Sequence, residues 1–197
     1  MTALLALAAL AADPPATDAA PAWDVSAPHG PGTDVSFSVR EGTWLSVDVS
    51  PAGDAVLTSL LGDIFEVPMA GGEARRLTTG LAWDSDPVYS RDGSRVYFTS
   101  DRGGNENIHV MARDGTGLVP LTTEEEHRFT DPVPAPEDGW FLARKRLTDT
   151  RSIGVQELWL MHESGGKGVQ ITTLDAHPHA GEAAFSPDGS AIWFSTR

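Results

Sequence analysis

The fold is decided by residues 86–123, DPVYSRDGSRVYFTSDRGGNENIHVMARDGTGLVPLTT. Four short apolar runs lie in this stretch, at residues 87–90, 95–100, 107–111 and 118–121. Clusters of Gly, Asp, Asn and Ser separate the runs, which is typical of strands joined by tight turns. The first separator, Ser90-Arg91-Asp92-Gly93, fits a type I turn that closes on glycine. The stretch therefore predicts four consecutive β-strands.

The same turn recurs along the chain, as SPAG at residues 50–53, SRDG at 90–93, PEDG at 136–139 and SPDG at 186–189. Successive closing glycines are 40, 46 and 50 residues apart. A second marker, Leu-Thr or Ile-Thr at residues 77–78, 121–122 and 171–172, keeps step with the turns. Four strands in each unit of about 40–50 residues are the pattern of a β-propeller blade.

The remaining units are interpreted in the same way. Unit one has runs at residues 45–50, 55–59, 63–68 and 74–77, and unit three at 131–135, 140–144, 157–162 and 168–171. Unit four has runs at residues 182–186 and 191–195 before the sequence ends. We therefore expect an all-β, partial propeller of about three and a half four-stranded blades over residues 33–197, incomplete at its C-terminus. Residues 33–39 alternate like a further strand, a candidate for closing the ring.

An open ring leaves unpaired strand edges and half-covered apolar faces. The expectation is that the sequence is part of a longer protein, whose remaining blades or C-terminal domain are its first partners. The alternative is a small open stack, or a fragment that closes by self-association.

The N-terminal residues predict export. Residues 1–12 resemble the apolar core of a secretory signal, although no basic residue precedes it. The apolar run is too short to span a bilayer, which takes about 20 residues. Residues 13–32 are rich in Pro and Ala and predict a leader or linker. The alternative to a signal is an uncleaved apolar tail.

Composition excludes several classes of function. The chain has 14 basic and 28 acidic residues and a net charge of −14, which repels nucleic acid and anionic lipid. It has no cysteine, so disulfides, thiol redox chemistry and thiolate metal sites are excluded. Neither a Gly-x-Ser-x-Gly nucleophile motif nor a phosphate-binding glycine motif is present.

One string resembles a metal site, Asp175-Ala176-His177-Pro178-His179. Spacing of two along an extended chain places both imidazoles on one side. The string falls in a connection between units, with no barrel strands after it in this sequence to supply the remaining ligands, so it is interpreted as a solvated loop. An adventitious metal site and a catalytic site are the alternatives. No catalytic residue, metal ligand or cofactor is assigned.

Repeat symmetry brings the three connections that lead into first strands to one face of the propeller, here called the connection face. These are residues 79–86, 123–130 and 173–181. The candidate binding residues on this face are Trp83, Asp84, Asp86, His127, Arg128, His177 and His179. The alternative is that they form ordinary polar loops. The tryptophans in or beside strands are expected to pack between blades and not to form a ligand platform; they are Trp44, Trp83, Trp140, Trp159 and Trp193.

The quoted unit closely resembles the TolB-like propeller repeat of exported bacterial proteins. The order Ser-x-Asp-Gly, Phe-Thr-Ser-Asp-Arg, Asn-x-x-Ile, Asp-Gly and Leu-Thr carries the resemblance, which covers residues 47–197. Two departures, Ala52 where the repeat prefers Asp and Arg91 where it prefers Pro, are expected to weaken their turns.

Residues 36–93 and 143–172 further resemble the N-terminal propeller of large secreted amidohydrolases. This resemblance implies a periplasmic or secreted, non-catalytic scaffold or interaction surface that precedes a metal-dependent hydrolase barrel. Two alternatives remain open. One is a TolB-like propeller without an enzyme domain, which binds periplasmic protein partners, and the other is the substrate-filter propeller of a serine peptidase.

Overall fold

The computed structural model describes residues 24–27, 30–38, 41–43, 45–137, 139–148, 155–173 and 179–196. Three consecutive four-stranded sheets and one two-stranded sheet account for its strands. Blade 1 contains β1 Val47–Val49, β2 Ala55–Leu60, β3 Asp63–Pro68 and β4 Arg75–Arg76. Blade 2 contains β5 Asp84–Tyr89, β6 Arg95–Ser100, β7 Asn107–Ala112 and β8 Val119–Pro120. Blade 3 contains β9 Arg128–Pro134, β10 Trp140–Arg146, β11 Gln156–His162 and β12 Val169–Gln170, and blade 4 contains β13 Ala183–Phe185 and β14 Ile192–Phe194.

Each blade is an antiparallel meander in which strands pair in sequence order. The fold class predicted from the repeat, an all-β partial propeller, is confirmed. Within the described residues, no helix is long and apolar enough to cross a membrane.

The hydrophobic core lies between blades. Strand β6 is buried on both faces, so consecutive side chains serve different neighbours. Phe98 packs in a cluster with residues of blade 1, whereas Tyr97 packs in a cluster with Phe141 of blade 3. A third cluster, centred on Leu142 and Leu158, connects blade 3 to blade 4. Stability therefore depends on the contact of one repeat with the next.

Polar contacts reinforce these interfaces. Glu66 of blade 1 accepts hydrogen bonds from the Arg113 Nε of blade 2 at 2.6 Å and from the Tyr89 hydroxyl at 2.8 Å. In the next interface, Glu163 of blade 3 accepts one from Arg95 at 2.6 Å. The hydrogen bonds from arginine to these carboxylates are charge-assisted. The carboxylates are also partly shielded from water, which strengthens the bonds.

The turns that close at Gly53, Gly93 and Gly189 share the predicted hydrogen bond from the glycine N–H to the carbonyl three residues earlier. The Gly93 N–H donates to the Ser90 carbonyl at 2.8 Å, and Gly93 has φ +71°. The Ser90 hydroxyl donates to Asp92 at 2.6 Å and accepts from the Arg95 N–H at 2.9 Å. Serine and aspartate thus supply side-chain hydrogen bonds that brace this turn, and glycine supplies its left-handed backbone.

The first turn lacks this aspartate, since Ala52 occupies its position. The Ser50 hydroxyl instead donates to Asp54, two residues further on, at 2.6 Å, and the Gly53 N–H still reaches the Ser50 carbonyl at 2.8 Å. The Asp54 carboxylate therefore accepts the hydrogen bond that Ala52 cannot accept.

We expect the Asp92 turn to lose stability in acid. Hydrogen bonds from Ser90 and Ser94 lower the pKa of Asp92 to about 2, whereas an unfolded aspartate titrates at about 3.9. The stabilisation is therefore complete above pH 4 and is lost as the pH falls towards 2, because protonation breaks these bonds. Urea unfolding between pH 5 and 2.5 should show a smaller pH slope for Asp92→Asn than for the wild type. Equal slopes would contradict this.

Two expectations about the packing are wrong. Residues 33–38 form no strand, and Val35 and Phe37 are exposed, since no described sheet edge pairs with them. Trp83 and Trp193 do not pack between blades, because they are 60% and 70% exposed. Trp159 behaves nearly as expected, packing half-buried against the Tyr97 cluster. Trp44 lies outside the described residues.

Candidate functional site

The structure brings only part of the predicted binding set together. Trp83, Asp84 and Asp86 line one groove on the connection face. Arg128 is the first residue of β9 and pairs with Glu106 at 2.9 Å, outside that groove. The structure therefore places three of the predicted residues in one groove. Asp84, Asp86 and Arg128 lie in strands β5 and β9, and not in the connections where the sequence predicted them.

The two predicted histidines with described positions also lie elsewhere. His127 accepts a long hydrogen bond from the Thr148 N–H at 3.5 Å. His179 forms an isolated parallel bridge with Gln156 of β11. His177 lies outside the described residues, so the interpretation of residues 175–179 as a solvated loop stays a prediction. Among the residues that the structure describes, no three His, Asp or Glu side chains come together as a metal site.

Asp84 has a structural environment. Its side chain is 1% exposed, and both carboxylate oxygens accept hydrogen bonds from Arg102 Nη2, at 2.8 and 2.7 Å. Arg102 also donates through Nε to the Ser100 hydroxyl at 2.9 Å and lies 5.7 Å from the centre of the Phe98 ring. A carboxylate held in this way stabilises the start of blade 2 and is not free to bind a ligand.

Behind this pair lies a buried histidine that sequence reasoning missed. The His109 ring stacks on Phe98 with centroids 5.8 Å apart. Its Nδ1 lies 3.2 Å from the Asn107 carbonyl and must donate to it, since a carbonyl only accepts. Burial lowers the pKa of His109, which keeps the imidazole neutral beside the Arg102 guanidinium. Its position between Ile108 and Val110 in a strand that is buried on both faces is the signal that could have found it.

Asp86 is positioned by an irregularity of the backbone. The β5–β6 register breaks between Ser85 and Val88, and Asp86 has φ +51°. Its N–H donates to the Ser46 hydroxyl of blade 1 at 3.1 Å. Aspartate tolerates the left-handed region better than most residues, so the bulge can fix this carboxylate at the groove.

The same bulge recurs in blade 3 at Asp131, with φ +54°. Its N–H donates to the Thr99 hydroxyl of blade 2 at 3.1 Å, and its carboxylate accepts from Arg144 Nε at 2.8 Å. Burial raises the pKa of Asp86, and the negative charge of Asp131 raises it further. Asp86 is thus a carboxylate whose ionised form is poorly compensated.

The groove encloses about 380 Å³. Its apolar side chains come from three parts of the chain that sequence reasoning did not connect, and we name it the Trp83 groove. They are Phe37, Leu45, Leu60, Leu61 and Trp83. Leu61 at the tip of the β2–β3 hairpin is 72% exposed, and Phe37 is 63% exposed. Contiguous exposed apolar surface of this kind marks interaction sites.

Comparisons with known proteins agree with this architecture. A family model described as TolB beta propeller domain matches residues 35–197. The structure of a putative TolB from Agrobacterium tumefaciens is similar at 22% identity and TM-score 0.66, covering 81% of this chain and 61% of that one. A puromycin-hydrolyzing peptidase from Mycobacterium tuberculosis is similar at 16% identity and TM-score 0.53, covering 74% of this chain and 25% of that one.

A curated relative is similar over a shorter stretch. The uncharacterized peptidase YuxL of Bacillus subtilis is 30% identical over 121 residues, which are 58% of this chain and 17% of that protein. The chain thus spans less than two thirds of each of these proteins. Identities below 25% show the common fold alone.

Proposed function

The chain belongs to the TolB β-propeller family, and from this premise we propose that it is a non-catalytic scaffold and interaction surface of an exported hydrolase. The Trp83 groove carries the proposal. Exposed apolar side chains and a poorly compensated carboxylate meet there on the connection face. Such a surface is suited to binding, since it offers exposed apolar area together with negative charge.

For the parent protein we propose a metal-dependent amidohydrolase, with this propeller in its N-terminal part. The resemblance of residues 36–93 and 143–172 supports this assignment. The proposed location is periplasmic or secreted, and residues 1–12 as the core of an export signal support it. The proposed partners are the remaining blades or C-terminal domain of the same protein, and a periplasmic protein.

A second candidate is the substrate-filter propeller of a serine peptidase. The similarity to the Bacillus subtilis and Mycobacterium tuberculosis peptidases supports it. In that arrangement the propeller would restrict which peptides reach a nucleophile outside residues 33–197. A third candidate, a TolB-like binding protein without an enzyme domain, is supported by the similarity to the Agrobacterium tumefaciens protein.

Determining the complete reading frame around this sequence separates the three candidates. A following barrel with histidine metal ligands is the result expected for the amidohydrolase. A following Gly-x-Ser-x-Gly elbow would replace that proposal with the peptidase. A frame that stops soon after the ring closes would leave the binding protein.

For the chain itself we expect no hydrolase activity. The string that includes His177 is the one candidate for metal chemistry in the sequence, and it is interpreted as a solvated loop. The purified chain should not turn over amide or ester substrates with or without zinc. Zinc-dependent turnover that is abolished in His177→Ala, and retained in His162→Ala, would overturn the non-catalytic assignment.

A further inference from the structure

We propose that the Trp83 groove binds a peptide segment in which a basic side chain lies next to apolar side chains. The inference rests on the proposed function and names the partner chemistry of the same site. It follows from three properties of the groove, which are its apolar walls, the sign of its charge and the fixed position of its central groups.

The apolar walls favour side chains of a peptide. Trp83 is the largest of the exposed groups, and Phe37 and Leu61 are also more than half exposed. A volume of about 380 Å³ lies at the small end of the range for ligand pockets, ~300–1,000 Å³. The groove therefore accommodates a few side chains of one segment and not a folded surface.

The charge of the groove selects a cation. Its lining includes Glu41, Asp84 and Asp86, and among the described residues no Lys, Arg or His lines it. Arg102 compensates Asp84 alone. Arg144, whose charge acts to lower the pKa of Asp86, is already bonded to Asp131. A guanidinium or ammonium group from a partner would supply the missing positive charge, and Trp83 would stabilise it further through its ring face.

The central groups are held in place before any partner arrives. The Ser85 hydroxyl donates to Asp86 Oδ2 at 2.9 Å. The backbone N–H of Trp83 donates to Asp101 Oδ1 at 2.8 Å. A Cβ added at Gly62 would lie 3.3 Å from Trp83 Cε3, so glycine lets the indole pack on the β2–β3 turn. Pre-organised groups lose little conformational freedom on binding, which favours affinity.

Fluorescence anisotropy with two labelled peptides tests the proposal on the full chain. Both are C-terminally amidated heptapeptides that carry the same dye on the N-terminal amine, of sequence Gly-Leu-Phe-X-Leu-Ser-Gly, where X is arginine in one and its neutral isostere citrulline in the other. We expect the arginine peptide to bind about tenfold more tightly, the scale of one charge-assisted hydrogen bond. Asp86→Asn should bring the two affinities within about twofold, since asparagine keeps the side-chain shape and tolerates the bulge.

Trp83→Ala should weaken both peptides about tenfold, because it removes apolar contact that they share. The matched controls are Trp193→Ala, an exposed tryptophan on β14, and Glu73→Gln, an exposed acid on the β3–β4 connection. Neither residue lines the groove, so neither change should alter the affinities. Circular dichroism melting confirms that each variant is folded.

Two results would overturn the inference. Equal affinity of the wild type for both peptides would remove the basic component and leave a purely apolar interaction surface, consistent with the proposed function. No binding of the arginine peptide at millimolar concentration by folded wild-type chain would remove the peptide assignment altogether. The reading frame and the turnover assay test the proposed function independently of either result.

Discussion

Replacing Phe141 by alanine is expected to lower the free energy of unfolding by about 3–5 kcal/mol. Phe141 is fully buried in central strand β10 of blade 3, and its ring lies 6.1 Å from that of Tyr97 in blade 2. Ile108 and Met161 complete the cluster around it. Strands paired on both sides of β10 prevent the surroundings from collapsing into the cavity that alanine leaves. The change therefore costs both the lost burial of the ring and the empty space that remains.

Urea unfolding followed by tryptophan fluorescence measures the loss. Phe37→Ala is the matched control, because that ring is mostly exposed and its removal should change the free energy of unfolding by less than about 0.5 kcal/mol. Phe141→Leu should cost less than Phe141→Ala and keeps the test informative if the alanine variant does not fold. A loss below about 1 kcal/mol for Phe141→Ala would show that blades 2 and 3 do not pack as described.

Replacing Asp84 by alanine is expected to cost about 3 kcal/mol of stability. The change leaves Arg102 without either of the two hydrogen bonds it makes to a carboxylate that is 1% exposed. Arg102 is itself a quarter exposed, so water recovers part of the loss and keeps it at the low end for a buried pair. The effect arises in folding and not in binding, although the sequence predicted Asp84 as a binding residue.

The exposed pair of Arg128 with Glu106 provides the control for Asp84. Their side chains are 45% and 34% exposed, so Glu106→Gln should cost no more than about 1 kcal/mol. Thermal and urea unfolding of the two variants can be compared under identical conditions. Similar small losses in both would show that the Asp84 carboxylate is not isolated from solvent.

The fold was predictable because each blade repeats its own local signals. The turn of residues 90–93 identified a hairpin without any knowledge of neighbours, since serine, aspartate and glycine each make a local contact there. The structure nevertheless extends β5 back to Asp84. A bulge with positive φ at Asp86 interrupts the alternation of side chains in this part of the strand, so the strand pattern is visible only after it.

The site was less predictable, because its parts are distant in the sequence. Repeat symmetry directed attention to the connection face, where Trp83 and Asp86 line the groove. Leu61 belongs to a hairpin tip that ordinary turn patterns do not mark as a site, and Phe37 precedes the repeats altogether. Whether Asp84 is paired or free depends on Arg102, 18 residues further on, and composition does not reveal that bond.

The bulges at Asp86 and Asp131 carry a consequence for how such a chain grows by gene duplication. Each bulge N–H donates a hydrogen bond to a hydroxyl of the preceding blade. Asp86 donates to Ser46, and Asp131 donates to Thr99. The two hydroxyls come from different places in their blades, since Ser46 precedes β1 and Thr99 lies in β6. A copied unit must therefore bring an amide for the blade before it, while the hydroxyl for the blade after it can come from either of two positions. A unit without a hydroxyl at both positions would leave the bulge amide of the next blade without this acceptor.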